Sequence, residues 1–436
     1  MKAKNIVTII MTLALLTVSC DQYPIFFTIA NETKPLKPLI EGAPTNMVVF
    51  ERYYPDPEDP ENPEKTKKVP ILYVASERLH WYAKGSKGQN KLPQWDSGEY
   101  FIWTPPWGKI TALAVTSEYL YALCLSGTLS TLCRIGHDSK SVWEPIGPPQ
   151  NIFYSQIQSI HADPDKPYLF AGIRHADLYP IDPTNIYALF YVGDNSKTLN
   201  LLRENTSLLS GAVYQQKTGE EGDEDMYYLS TKGAGIFSVK ADATGALESV
   251  QPLNNTDLVL MNMIKLEDDT IIAVERYGDG DLHGSLYEIR NGSFAQMKYT
   301  SFDYPIFLDK YATGALALWE DRLDSQKRLL VAGIQGELYS ATTGSHTYGY
   351  VEFKLEENFN TFNISWPRHD ASTSSLQSVY DNNQYTSSLG TRPVIHLFQT
   401  PKEIDPLMTF FASTQTNGLW SYRERDGKWQ WNAEEN

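Results

Sequence analysis

Cysteine is scarce in this chain of 436 residues. Cys20, Cys124 and Cys133 are all it has, which excludes a disulfide-built scaffold and any Cys-x-x-Cys metal or redox motif. The eight histidines are scattered, with no His-x-x-x-His pair, so a zinc site has no support. Basic residues are in deficit, 37 against 53 acidic, for a net charge of −16. Such a balance disfavours binding to nucleic acid or to anionic lipid headgroups and favours a solvated acidic surface. Beyond the first twenty residues no stretch approaches the roughly 18 consecutive apolar residues of a spanning helix. No long segment keeps a helical period with caps, and no Gly-x-Ser-x-Gly elbow occurs.

What is present is repetition. An apolar strand ending in a small residue, a short turn and a second strand recur seven times, 43 to 80 residues apart. The first strands are Pro70-Ile-Leu-Tyr-Val-Ala75, Tyr119-Leu-Tyr-Ala122, Tyr168-Leu-Phe-Ala-Gly172, Tyr227-Tyr-Leu-Ser-Thr231, Thr270-Ile-Ile-Ala-Val274, Leu329-Leu-Val-Ala-Gly333 and Thr409-Phe-Phe-Ala-Ser413. Partner strands often open on Gly, as in Gly235-Ile-Phe237, Gly284-Ser-Leu-Tyr287, Gly336-Glu-Leu-Tyr339 and Gly418-Leu-Trp420. A hairpin at this period is the signature of a β-propeller, one repeat to a blade. The expected fold is therefore all-β, a seven-bladed β-propeller over residues 46–436. The small residues are placed where blades converge. Residues 355–393 are a long insert, polar yet carrying Phe359, Phe362, Ile364, Trp366 and Tyr380. If they hide another blade, the count becomes eight.

The first twenty residues read as an export signal. Lys2 and Lys4 precede an apolar stretch from Ile6 to Leu16, and Thr17-Val-Ser19 leads into Cys20. This resembles the bacterial lipoprotein signal, with Thr17 where an aliphatic residue is usual. The resemblance implies cleavage after residue 19 and acylation of Cys20. Two or three acyl chains, at about 0.8 kcal/mol per buried methylene, anchor a protein durably. Residues 1–20 are then a signal peptide ending at the acylated Cys, and 21–45 a tether. The implied location is the bacterial cell envelope, periplasmic or at the cell surface. The membrane is contacted through lipid alone.

Export raises the question of Cys124 and Cys133. Both fall in one hairpin, and a turn at Ser126-Gly127 would set Cys124 opposite Leu129 and Cys133 opposite Leu120. Four residues of offset separate the sulfurs by roughly 13 Å, too far for a disulfide. Two buried thiols are expected.

Candidate sites are few. Asp279-Gly-Asp-Leu-His-Gly284 is a fragment of a calcium loop without its remaining ligands, so no metal and no cofactor is expected. His137-Asp-Ser-Lys-Ser-Val-Trp143 and Arg425-Asp-Gly-Lys-Trp429 resemble degenerate Asp-box turns of sialidase-like propellers, where Asp and Trp brace a hairpin. The catalytic groups of those enzymes have no counterpart here. The loops of the two rims hold Arg78, Trp107, Tyr154, Arg174, His175, Arg276, Tyr277, Tyr304 and Trp366. Arg and aromatic side chains anchor interfaces. The reading is a monomeric, non-enzymatic scaffold that binds a protein or another ligand at one loop rim. The alternative is a glycan-acting hydrolase or lyase with paired carboxylates in the axial cleft, which meet in space and not in sequence.

Overall fold

The structure, a computed structural model, describes residues 40, 42–55, 66–83, 94–96, 104–147, 154–175, 186–217, 224–241, 247–248, 250–253, 260–266, 269–275, 286–290, 293–299, 312–320, 328–335, 338–340, 344–346, 350–355, 361–365, 389, 393–415, 417–425 and 428–434. Among the described residues no helix is long and apolar enough to cross a membrane.

Strands follow one another as antiparallel meanders. Sheet 1 is Val48–Pro55, Thr66–Ser76, Arg78–Ala83 and Gln94–Asp96. Sheet 2 is Lys109–Val115, Tyr119–Ser126, Leu129–Gly136 and Glu144–Pro145. Sheet 3 opens with Tyr154–Ala162 and Tyr168–His175, sheet 4 with Leu209–Lys217 and Glu224–Thr231, and sheet 5 with Leu260–Lys265 and Ile271–Glu275. Sheet 6 opens with Ala312–Glu320 and Arg328–Gln335, and sheet 7 with Val394–Gln399 and Phe410–Thr414. Six of these sheets have four strands and sheet 6 has five.

The first strands of successive sheets touch from sheet 1 through to sheet 7, so they line an axis. Side chains stitch the neighbours. Asn46 exchanges two hydrogen bonds with the backbone of Leu113 (2.6 and 3.0 Å). Ile157 N–H donates to Ser130 Oγ at 2.7 Å, and Leu260 N–H to Ser230 Oγ at 2.9 Å. Gln399 accepts from the Glu320 N–H and donates back to its carbonyl, both at 2.8 Å. The ring closes where Met47 N–H donates to His396 Nδ1 at 3.2 Å. There Gly418 N–H and Leu419 N–H also donate to the Gly42 and Ile40 carbonyls. Sheets arranged radially about an axis, each joined to the next, make a β-propeller.

Core lies between sheets. Phe50, Tyr73, Leu120 and Cys124 fill the gap between sheets 1 and 2, and Leu72, Val74, Phe411 and Leu419 that between sheets 7 and 1. A second strand is covered on both faces, so it reads as a continuous apolar run and not as an alternation. Ala75, Ala122, Ala171, Ala273 and Ala412, at or next to the ends of the repeats, are fully buried. The reason for small residues is explicit at Gly333, where a Cβ would lie 2.6 Å from Val394 Cγ1 in sheet 7. Gly333→Val should therefore overpack this junction and cost about 1–3 kcal/mol. Exposed Val142→Ala should stay within about ±0.5 kcal/mol. Equal shifts of the two denaturation midpoints would refute the convergence argument.

The structure departs from expectation in three places. The turn of the sheet 2 hairpin is Gly127-Thr128, with Gly127 at φ +62°, so Ser126 pairs with Leu129, Cys124 with Thr131 and Cys133 with Ala122. The cysteines are diagonal neighbours on one face, their sulfurs 3.6 Å apart and not 13 Å. In sheet 6 the third strand is Tyr350–Leu355 and the fourth is Thr361–Ser365, which falls inside the supposed insert. Leu338–Ser340 instead pairs with Gly344–His346 as a separate small hairpin. An unforeseen regularity also appears: register shifts interrupt the first strand of every sheet except sheet 1. Such bulges increase local twist and re-aim side chains.

Candidate functional site

The first strands surround a cavity of about 1070 Å³. Its walls are apolar where those strands run beside the axis, with Val48, Leu113, Ile160, Val213, Ile264, Leu316 and Leu397. Polar groups gather where most of the first strands end: Ser117, Asp163, Asp165, Lys265, Glu320 and Thr400, with Glu51 and His137 beside them.

The turn Asp163-Pro-Asp165-Lys166 is self-braced, since Asp165 N–H donates to Asp163 Oδ1 at 3.1 Å and Lys166 N–H to the Asp163 carbonyl at 3.1 Å. Asp163 Oδ2 lies 3.8 Å from Lys265 Nζ. The Lys166 ammonium sits 3.7 Å from the Tyr214 ring centroid and that of Lys265 5.1 Å from it. Tyr214 donates its hydroxyl to Asp225 at 2.5 Å. Burial, with the Asp225 carboxylate beside it, pushes that phenol up. Two cations against one ring tie sheets 3, 4 and 5 at the mouth. Glu51 is 3.4 Å from Lys68.

His137 is stacked between Phe50 (4.4 Å) and Tyr53 (4.8 Å). Its Nδ1 lies 2.7 Å from the Glu51 carbonyl and its Nε2 2.8 Å from that of Ser117. Deeper in the cavity, burial lowers the pKa values of His161 and His396 to about 4, and Lys232 adds to the effect at His161. Both rings line the cavity and keep some accessible surface. Because Met47 N–H donates to Nδ1, the neutral His396 carries its proton on Nε2. Among the described residues no three His, Cys, Asp or Glu side chains cluster to hold a metal ion.

The expected binding residues distribute differently. Trp107, half-buried, precedes the first strand of sheet 2 and packs on the core shared with sheet 1. Tyr154 opens the first strand of sheet 3, where it pairs with His175 at the end of the second strand, one residue beyond Arg174. These four share the rim where first strands begin, and the polar cavity groups share the other. Arg276, Tyr277, Tyr304 and Trp366 lie outside the described residues, as do Cys20, the 279–284 segment and Asp426. Sequence reasoning passed over Asp163, Lys265 and Glu320; their place just at or beyond the ends of first strands was the available signal. The turn at Asp138 accepts Lys140 N–H on its carboxylate at 2.8 Å, and Trp143 is buried.

No family model and no curated protein matches the chain. Solved structures do. An ancestral GH74 enzyme aligns at TM-score 0.48 with 12% identity over 92% of this chain and 47% of its own, so the chain spans about half of that protein. Oligogalacturonate lyase from Vibrio parahaemolyticus aligns at TM-score 0.43 with 10% identity, over 87% of this chain and 97% of its own. TolB from Acinetobacter baumannii aligns at 0.32 with 10% identity, over 72% and 62%. The expectation of a non-enzymatic chain is corrected here. An enzyme and a lyase stand among the similar structures, and a lack of catalytic motifs in sequence does not exclude groups that meet only at the axis.

Proposed function

We propose that this is an exported, lipid-anchored propeller of the bacterial envelope whose axial cavity receives a ligand at the mouth framed by Ser117, Asp163, Lys265 and Glu320. The observation that carries the reading is the cavity itself, large, apolar along its walls and polar at one end, which is the usual build of a ligand site. Carboxylates outnumber the ammonium at this mouth, so an uncharged polyhydroxylated ligand, a neutral glycan segment, fits better than a polyanion. The opposite rim, with Trp107 and Arg174, is the proposed surface for a protein partner.

The test uses the soluble chain from residue 40 onward. A neutral gluco-oligosaccharide should bind in calorimetry and an oligogalacturonate should not. Leu318→Trp, which narrows the cavity beside Glu320, should abolish binding, and Asp163→Asn should weaken it about tenfold, or ~1.4 kcal/mol. Binding that survives Leu318→Trp would place the ligand elsewhere. Chromatography of the same mixtures separates a ligand merely held from one that is cleaved. In the full-length chain, Cys20→Ser should move the protein to the soluble fraction or leave it as unprocessed precursor. A processed variant that still needed detergent would refute the anchor.

A further inference from the structure

Cys124 and Cys133 were expected to be far apart, and they are in contact. Directly opposite residues of an antiparallel pair share a face, so Cys124 with Thr131 and Ala122 with Cys133 put both sulfurs on the side facing sheet 1. Strand twist shortens one of the two diagonals of such a pair, and this is the short one: Sγ to Sγ is 3.6 Å, within hydrogen-bonding contact. Both side chains are fully buried, and the Cys133 thiol donates to the Ala122 carbonyl at 3.2 Å. No further metal-binding side chains cluster with them among the described residues. The chemistry left to two touching thiols is with each other.

We propose that Cys124 and Cys133 form an intrachain disulfide as the chain folds in an oxidising compartment, crosslinking the Tyr119–Ser126 and Leu129–Gly136 strands. The oxidant is a disulfide-bearing one, a thiol oxidase or a small-molecule disulfide. One cysteine thiolate attacks it to give a mixed disulfide and release one thiol. The second cysteine then attacks the mixed disulfide, closes the Sγ–Sγ bond and releases the other thiol. Two cysteine hydrogens end on the two thiols of the reduced oxidant. Timing follows from burial. The thiolate is the reacting form, and burial together with the neighbouring Cys124 pushes the Cys133 thiol well up. The bond therefore forms before the hairpin is sealed against sheet 1, and once sealed it resists reduction.

The test needs neither export nor ligand, so it fails or succeeds independently of the proposed function. The reduced, denatured chain from residue 40 onward is refolded with oxidised glutathione, then alkylated in denaturant without reductant. The expected product has a mass lower by two hydrogens and no alkylated thiol. Cys124→Ser and Cys133→Ser should each instead carry one free thiol or one glutathione. Refolded parent protein that keeps two alkylatable thiols, or carries glutathione on either cysteine, would overturn the proposal.

Discussion

Acidification from pH 7 to pH 4 should destabilise the propeller by several kcal/mol, with much of the loss traced to three histidines. Burial lowers His80, His161 and His396 from 6.5 to about 4 in the folded chain. Arg78 reinforces the shift at His80, and a backbone hydrogen bond with Ser76 opposes it. Unfolding returns each ring to water and to its ordinary titration. Between pH 6.5 and 4 the unfolded state binds more protons, so stability rises with pH there and is lost as pH falls. Each ring accounts for about 1–3 kcal/mol at the acid end, less than the full shift because cavity-facing rings retain some solvation. Melting temperatures measured from pH 7 to 4 should fall steeply for the parent and less steeply for His396→Gln, whose amide oxygen can still accept the Met47 N–H. His161→Gln should flatten the profile in the same way. Parallel profiles for parent and variants would assign the acid sensitivity to carboxylates instead.

Arg134→Met should be the most damaging single change at a charged position. The side chain is 2% exposed and joins sheet 2 to sheet 3. Its Nε donates to Glu144 at 2.8 Å, and one terminal nitrogen donates to the carbonyls of Asp194 (3.0 Å) and Ser196 (2.7 Å). The guanidinium lies 3.9 Å from the Tyr119 ring centroid. Asp194 is held in turn by the hydroxyls of Thr116 (2.6 Å) and Ser117 (3.0 Å). Removing the cation strands two carbonyls and leaves Glu144 with Lys197 alone, 2.5 Å away. Glu144 is part-exposed, so the loss should fall below the roughly 3–5 kcal/mol of breaking a fully buried pair, at about 2–3 kcal/mol once the stranded carbonyls are included. Arg134→Lys, which keeps the charge and loses the fork, should fall between parent and Met variant. Denaturant midpoints for the three proteins decide it. A Met variant within about 0.5 kcal/mol of the parent would mean that the clasp adds little beyond packing.

The repeat was legible because second strands run between two neighbouring sheets and carry a small residue, such as Ala75, Ala122, Ala171, Ala273 or Ala412, where the sheets converge. Those two demands write Tyr168-Leu-Phe-Ala-Gly172 and Leu329-Leu-Val-Ala-Gly333 into the chain. Pairing was less legible. Placing the sheet 2 turn one residue early shifts every cross-strand pair by two, which keeps each side chain on its proper face but misplaces Cys124 against Cys133. Nothing in hydrophobic pattern chooses between Gly336-Glu-Leu-Tyr339 and Tyr350–Leu355 as the third strand of sheet 6, since both alternate equally well. Strand ends marked the candidates for the cavity mouth, but which of them meet there was not legible. Asp163 and Lys265 are a hundred residues apart in the chain and meet because two first strands end at the same height.

The seam of the ring bears on mechanics. The segment from Ile40 to Met47 is held by backbone hydrogen bonds to Gly418 and Leu419, by the Ser413 hydroxyl on the Thr45 carbonyl and by the His396 ring. Any tension applied to the chain ahead of Ile40 arrives at these few bonds before it reaches a complete sheet. Pulling there would therefore peel the segment from Ile40 to Met47 away first, while the buried core shared by sheets 7 and 1 still holds those sheets together.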